Sequence, residues 1–215
     1  MKVLINIRDA NEINKVPHIR ELIVLSYLLN TNHSARDQYL QRFKPSDAAA
    51  TMRDNIYGMI QLSSLAYEGM RVAHSILRKL AGIIPRTQDS EIAWLQHEVK
   101  SPDSFYSTVM KPIRNELGFH FSHCLANLPL HKSLPHIPPT LAETNNEDDS
   151  ELIYVLPTDI ISSYLLSLMP EPTDPADRLI WIITQLGEYN NRIGRLLREM
   201  VYAIMEELQP NLLVE

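Results

Sequence analysis

The stretch KPIRNELGFHFSHC, residues 111–124, gathers the side chains best suited to chemistry: Arg114, Asn115, Glu116, His120 and His123. Three arrangements use these residue types at this spacing. The first is a catalytic Arg–His arrangement, joining a permanent cation to a group that titrates near neutral pH. The second is a metal site. Glu116, His120 and His123 stand at i, i+4 and i+7 on one side of a helix, and one carboxylate with two imidazoles binds zinc or iron when other segments complete the shell. His131 and His136 follow, so four of the eight histidines fall between residues 120 and 136. Against this stand the missing HExxH motif and the missing paired carboxylate–histidine motifs of a di-iron bundle, so no metal or other cofactor is expected. The third is structural: His120 as a core-edge histidine bonded to a neighbouring helix, and Arg114 as the partner of an acidic residue on an adjacent helix. Asn115 alone does not separate the three.

Pro112 bears on all of them. Inside a helix, proline loses a hydrogen bond and clashes with the preceding turn, at a cost of about 3 kcal/mol. It also pushes Lys111 away from helical geometry. The expectation is that a new helix begins here with Pro112 in its first turn. Arg114 then lies beside free backbone N–H groups at the positive end of the dipole, where a phosphate is readily held. Along such a helix Ile113, Leu117, Phe121, Cys124, Leu125 and Leu128 form one apolar stripe. Arg114 falls near one edge of the stripe and His120 near the other, about 120° apart on an ideal helix. Three things would bring them together: the reach of the arginine, distortion near Gly118, or a two-fold axis with a second subunit. Phe119 lies on the back face near Asn115 and requires a cover from a second helix or subunit.

The elements that must position these residues are helical. Met52, Ile56, Met59, Ser63, Ala66, Met70, Ala73, Leu77 and Leu80 alternate steps of four and three. This predicts a long helix over 46–81, stopped by Gly82 and Pro85, with its methionines in the core. A second long helix is predicted over 175–208, capped by Asp174, with Pro175 first and Asp177 at the positive end of the dipole. Its seam includes Leu186, Tyr189, Ile193, Leu196, Met200 and Ala203. Arg192, Arg195 and Arg198 on this helix read as a solvated face, with Glu188 one turn before Arg192, rather than as an RNA track. Further helices are expected over 17–43 with a break near Asn30–Ser34, over 90–100, from Ser101 as cap with Pro102 in first position, and over 158–169. Residues 129–157 carry four prolines between 129 and 139 and then ETNNEDDSE. They read as a loop insertion, mobile around 143–150, followed by one short strand or hairpin in ELIYVLP. The whole is expected to be an all-α bundle of long antiparallel helices in a single domain, 1–215.

Composition narrows the function classes. The chain has 215 residues, 45% hydrophobic, enough for a real core, and a net charge of −6 argues against a strongly basic nucleic-acid clamp. One cysteine, Cys124, excludes an intramolecular disulfide framework and a CxxC zinc motif, and on the apolar stripe it reads as a buried, unreactive thiol. The N-terminal apolar run is too short for a signal sequence, and LIVLSYLL is too short for a membrane span. A soluble cytoplasmic protein is expected.

RNELGFH resembles the Arg-x(4–6)-His signature of HEPN-domain proteins, with a polar residue directly after the arginine. IRNELGFHF is most similar to the branch associated with phage abortive infection. The resemblance covers seven residues, and the long helices before and after it agree with the family's bundle. It implies an all-α, commonly dimeric protein and a metal-independent ribonuclease in phage defence or a toxin-like system. His120 would then act as general base or acid, helping an RNA 2′-OH attack the neighbouring phosphodiester. Arg114 would stabilise charge on the phosphorane-like transition state. Asn115 would orient the phosphate or the histidine, with His123 and Glu116 as secondary members of the cleft. DNA, lacking the 2′-OH, should not be cut. Some toxin branches carry a tyrosine two residues after the histidine as a modification site. Here that residue is Ser122, which puts such regulation in doubt. The family also contains non-catalytic members, so a binding or antitoxin-like partner is the alternative, and a metal-binding bundle a third.

Overall fold

The computed structural model describes residues 3–5, 15–42, 49–118, 143–144, 152–153, 161–162, 164–168, 174–208 and 212–214. In chain order the helices among them are α1 (Ile19–Arg42), α2 (Ala49–Leu80), α3 (Asp89–Lys100), α4 (residues 105–118), α5 (helical residues 161–162 and 164–167) and α6 (Pro175–Glu207). The architecture is an all-α bundle. The only strands among the described residues are two small ladders. β1 (Val3–Ile5) pairs antiparallel with β4 (Leu212–Val214), and β2 (Glu143–Thr144) pairs antiparallel with β3 (Leu152–Ile153). The short strand expected in ELIYVLP is β3, and its partner β2 begins the segment read as mobile. The first ladder, which joins the two ends of the chain, was not anticipated.

The expected seams become the core. On α2, Ile56, Met59, Ser63, Ala66, Met70, Ala73, Leu77 and Leu80 are all buried, and on α6 so are Leu186, Ile193, Leu196, Met200 and Ala203, while Tyr189 of that seam is half-buried and Ile182 joins the core. α1, α2 and α6 pack against one another. Lys79 at the end of α2 donates to Glu21 at the start of α1 at 2.6 Å, so these two run antiparallel. Gly69 of α2 lies against Ile193 and Leu197, while Met59 and Leu62 share a cavity wall with Ile183 and Leu186. α2 and α6 therefore run parallel, with α1 opposed to both.

Local chemistry sets the ends. Asp174 caps α6, its Oδ1 accepting the Asp177 N–H at 3.2 Å, as the sequence predicted. The cap of α4 is Ser104 rather than Ser101: Ser104 Oγ accepts the Ser107 N–H, and the Ser104 carbonyl accepts from Thr108. Pro102 sits in the preceding turn. α1 begins after His18, which takes the left-handed conformation with φ 55°, and shows no break at Asn30–Ser34. Thr31 Oγ1 donates to the Tyr27 carbonyl and Gln38 Nε2 donates to Ser34 Oγ, so these polar residues bond within the helix instead of ending it.

α3 and α4 pack on α6 through aromatic rings. Trp94, Phe105, Trp181 and Tyr189 meet edge-on or tilted at 5.0–5.6 Å between centroids. Arg192 reaches back from α6, lying 4.3 Å over the Trp94 ring and pairing with Glu91 at 2.7 Å. Its partner is thus on α3 rather than Glu188 on its own helix. Arg195 and Arg198 are exposed. Among the described residues no helix is long and apolar enough to cross a membrane.

Candidate functional site

Pro112 does not start a helix. It lies inside α4, between two widened turns, Tyr106–Met110 and Ile113–Gly118, which bond in the i→i+5 pattern. The Lys111 N–H reaches back to the Tyr106 carbonyl, five residues away. Widening relieves what a regular helix cannot: the proline ring would strike the carbonyl four residues before it, and its own N–H is missing. The chain thus keeps its helix through the proline, and Arg114 sits mid-helix rather than among free N–H groups at an N-terminus. No first-turn N–H groups therefore stand beside Arg114 to hold a phosphate. Equal steps of rotation also cease to apply across 106–118, so an ideal-helix phase no longer describes this segment.

The apolar stripe anchors the second wide turn. Ile113 and Leu117 are buried against the core, together with Tyr106, Val109 and Met110 from the first turn. Arg114 leaves the edge of this stripe toward α2. Its Nε donates to Glu68 Oε1 at 2.8 Å, and its Nη1 lies 3.4 Å from Asn115 Oδ1. Glu68 Oε2 is held by Arg71, through Nε at 2.9 Å and Nη2 at 2.8 Å. Among the described residues, one carboxylate thus joins two guanidiniums. The Arg71 pairing raises that guanidinium further above its ordinary pKa, mainly through the hydrogen bond to Glu68. Side-chain exposure rises outward along the chain of contacts, from 18% at Glu68 to 27% at Arg114 and 59% at Arg71. Both arginines thus keep some contact with solvent, Arg71 the more.

Two tyrosines adjoin this group. Tyr67, next to Glu68 on α2, stacks on Tyr106 of α4 with centroids 4.6 Å apart and planes 12° from parallel. Tyr106 is buried and Tyr67 partly exposed. Burial, with the Tyr67 hydroxyl as hydrogen-bond partner, pushes the Tyr106 phenol well above its ordinary pKa. On another side of the same wide turn, Glu116 accepts a 2.6 Å hydrogen bond from the Tyr164 hydroxyl, which ties α5 to α4.

Of the sequence-derived site, Arg114, Asn115 and Glu116 are thus placed on one wide helical turn. Arg114 has the acidic partner on an adjacent helix that its structural reading required. His120 and His123 lie outside the described residues, as do Phe119, Cys124, His131 and His136, and the metal arrangement of Glu116, His120 and His123 lies outside with them. Among the described residues no group of three His, Cys, Asp or Glu side chains is close enough to hold a metal ion. Glu68, Arg71, Tyr67 and Tyr106 were missed by the sequence reading. The available signal was YEGMR on α2, which puts an aromatic ring, a carboxylate and a guanidinium within one turn. A cavity of about 170 Å³ between α1, α2 and α6, lined by Tyr39, Met59, Leu62, Ile183 and Asn190 among others, shares no residue with this cluster. No family model matches the chain, and no curated protein or solved structure matches it either.

Proposed function

We propose that the chain is a HEPN-type helical protein that cuts RNA without a metal, through Arg114, Asn115 and His120. The observation that carries this is the state of Arg114. Glu68 of a neighbouring helix pairs with its Nε at 2.8 Å, the group keeps 27% exposure, and a second arginine shares its carboxylate. A preoriented cation facing solvent suits a phosphodiester whose charge grows in the transition state. The all-α bundle and the RNELGFH resemblance supply the rest. In this scheme His120 accepts the proton of the 2′-OH or delivers one to the leaving oxygen. The O2′–P bond forms and the P–O5′ bond breaks. The products are a 2′,3′-cyclic phosphate and a free 5′-OH. Asn115, beside the guanidinium, orients the phosphate or the histidine.

The test is incubation of single-stranded RNA with the protein in EDTA, with analysis of the product ends. Cleavage to cyclic phosphate and 5′-OH ends is expected, with a fully 2′-deoxy oligonucleotide left intact. Cutting of the deoxy strand, or loss of all cleavage in EDTA, contradicts the proposal.

A second reading, a non-catalytic HEPN-type binding or antitoxin-like partner, is favoured by one observation. The Glu68–Arg114 pair satisfies the arginine as a helix–helix link, with no substrate needed to account for it. Wild-type protein that binds RNA or a partner protein yet leaves RNA intact would select it.

A further inference from the structure

The geometry points to a base-stacking subsite for single-stranded RNA on the Tyr67–Tyr106 pair, with Arg71 as a second phosphate contact beside Arg114. The inference rests on the proposed action on RNA and specifies what that site recognises. Tyr106 is buried at the back of the stack, and Tyr67 in front of it keeps part of its surface exposed. Arg71 stands one turn from Tyr67 on α2, with its side chain 59% exposed. A half-buried ring stacked on a second ring, with the exposed Arg71 one turn away on the same helix, matches one repeating unit of a single strand, a flat base and its phosphate. Such platforms bind unpaired bases by stacking, while guanidiniums follow the backbone.

Helix packing alone explains the tyrosine stack but not its setting. The arginine–aromatic contact at Trp94 shows the contrast. Arg192 covers the Trp94 ring and is tied to Glu91, and Trp94 belongs to a four-ring cluster that joins α3 to α6. At Tyr67 the carboxylate lies between the two arginines, and the more exposed of them projects to solvent beside the ring. Glu68 is a positioning residue here: it sets the spacing of the two cations without itself attracting a phosphate.

Binding separates this inference from the cleavage proposal. The probes are a 2′-O-methyl oligoadenylate, which cannot be cut by 2′-OH attack, and inorganic polyphosphate, which carries charge but no base. Tyr67→Leu is expected to weaken oligoadenylate binding about fivefold or more and to leave polyphosphate binding unchanged. Tyr67→Phe, which keeps the ring, should restore what Tyr67→Leu loses. Arg71→Gln should weaken both ligands and make the slope of log K against log salt shallower by about 0.7 for the oligonucleotide. If Tyr67→Leu does not fold, Tyr67→Trp takes its place, with tighter oligoadenylate binding expected. Should the position 67 variant bind both ligands as wild type does, or lose both equally, the subsite is overturned. Wild type that cuts RNA in EDTA while position 67 has no effect on binding overturns the subsite alone. Wild type that binds no RNA overturns the subsite and the proposed function together. Ring-dependent binding without cleavage keeps the subsite and overturns the cleavage proposal.

Discussion

Glu68 decides what Arg114 can do. Each of its oxygens holds a different guanidinium, so a neutral amide in its place would leave two cations close together and Arg114 without its ion pair to α2. Partly exposed pairs of this kind contribute up to about 1 kcal/mol each, and Glu68→Gln should lower stability by roughly that much. Its effect on RNA is more diagnostic. Removing one negative charge strengthens the attraction of the site for phosphate, while a loosened Arg114 loses alignment with the reacting group. Steady-state kinetics should show kcat down by about tenfold to a hundredfold with KM unchanged or lower. A rise in KM at constant kcat would mean that Glu68 serves substrate binding rather than the orientation of Arg114. Arg114, Asn115 and Glu116 were readable because they share a short segment with a recognisable pattern. Glu68 and Tyr164 were not, because each meets its partner only when distant helices pack.

The helices were the most readable level, for a physical reason. A buried seam must repeat every three or four residues, so the inward faces of α2 and α6 are written locally and appear where expected. What failed is what non-local packing or compensation decides. Pro112 is tolerated inside α4 because the helix widens around it, and nothing in the neighbouring residues announces that choice over a fresh start. The polar run Asn30–Ser34 looked like a break, yet side-chain bonds inside α1 carry the helix through. The ladder between the chain ends rests on three residues from each terminus, too few to signal a strand. Close packing between helices gives a further test. A Cβ at Gly58 would stand 2.5 Å from Cδ2 of Tyr39, a ring whose phenol burial pushes up to about 12. A Cβ at Gly187 would meet nothing within 4 Å. Gly187→Ala should stabilise the protein by about 0.5–1 kcal/mol through helix propensity. Gly58→Ala should lose that gain to overpacking and come out destabilised by about 1 kcal/mol. Denaturant midpoints measure both. Equal shifts of the same sign would show that α1 and α2 do not approach as closely as Gly58 implies.

For the protein as a whole, the acidic balance of −6 argues against a broad nucleic-acid clamp, and the proposed function calls instead for a small local site. Salt should therefore weaken RNA binding through a few phosphate contacts rather than many. Acid should weaken the fold in two stages. Burial holds His33 and His74 below their ordinary pKa of 6.5, so the unfolded chain takes up their protons first. Their contribution is complete above about pH 6.5 and is lost as pH falls through the lowered folded values. Glu21, held below 4.5 mainly by its hydrogen bond to Lys79, contributes above that pH and is lost only in stronger acid. Thermal midpoints should decline below pH 6.5 in wild type and more gently when both histidines are changed to glutamine. An unchanged slope would place the acid sensitivity elsewhere.

The most direct measurement is the rate of RNA cleavage in EDTA by wild-type protein and by His120→Ala at equal concentration. Wild type is expected to cut RNA with the metal removed, and His120→Ala to lose at least a hundredfold of that rate, the lower end of what a positioned acid or base supplies. Equal rates in the two proteins, or no wild-type cleavage without metal, would contradict a metal-free Arg–His ribonuclease.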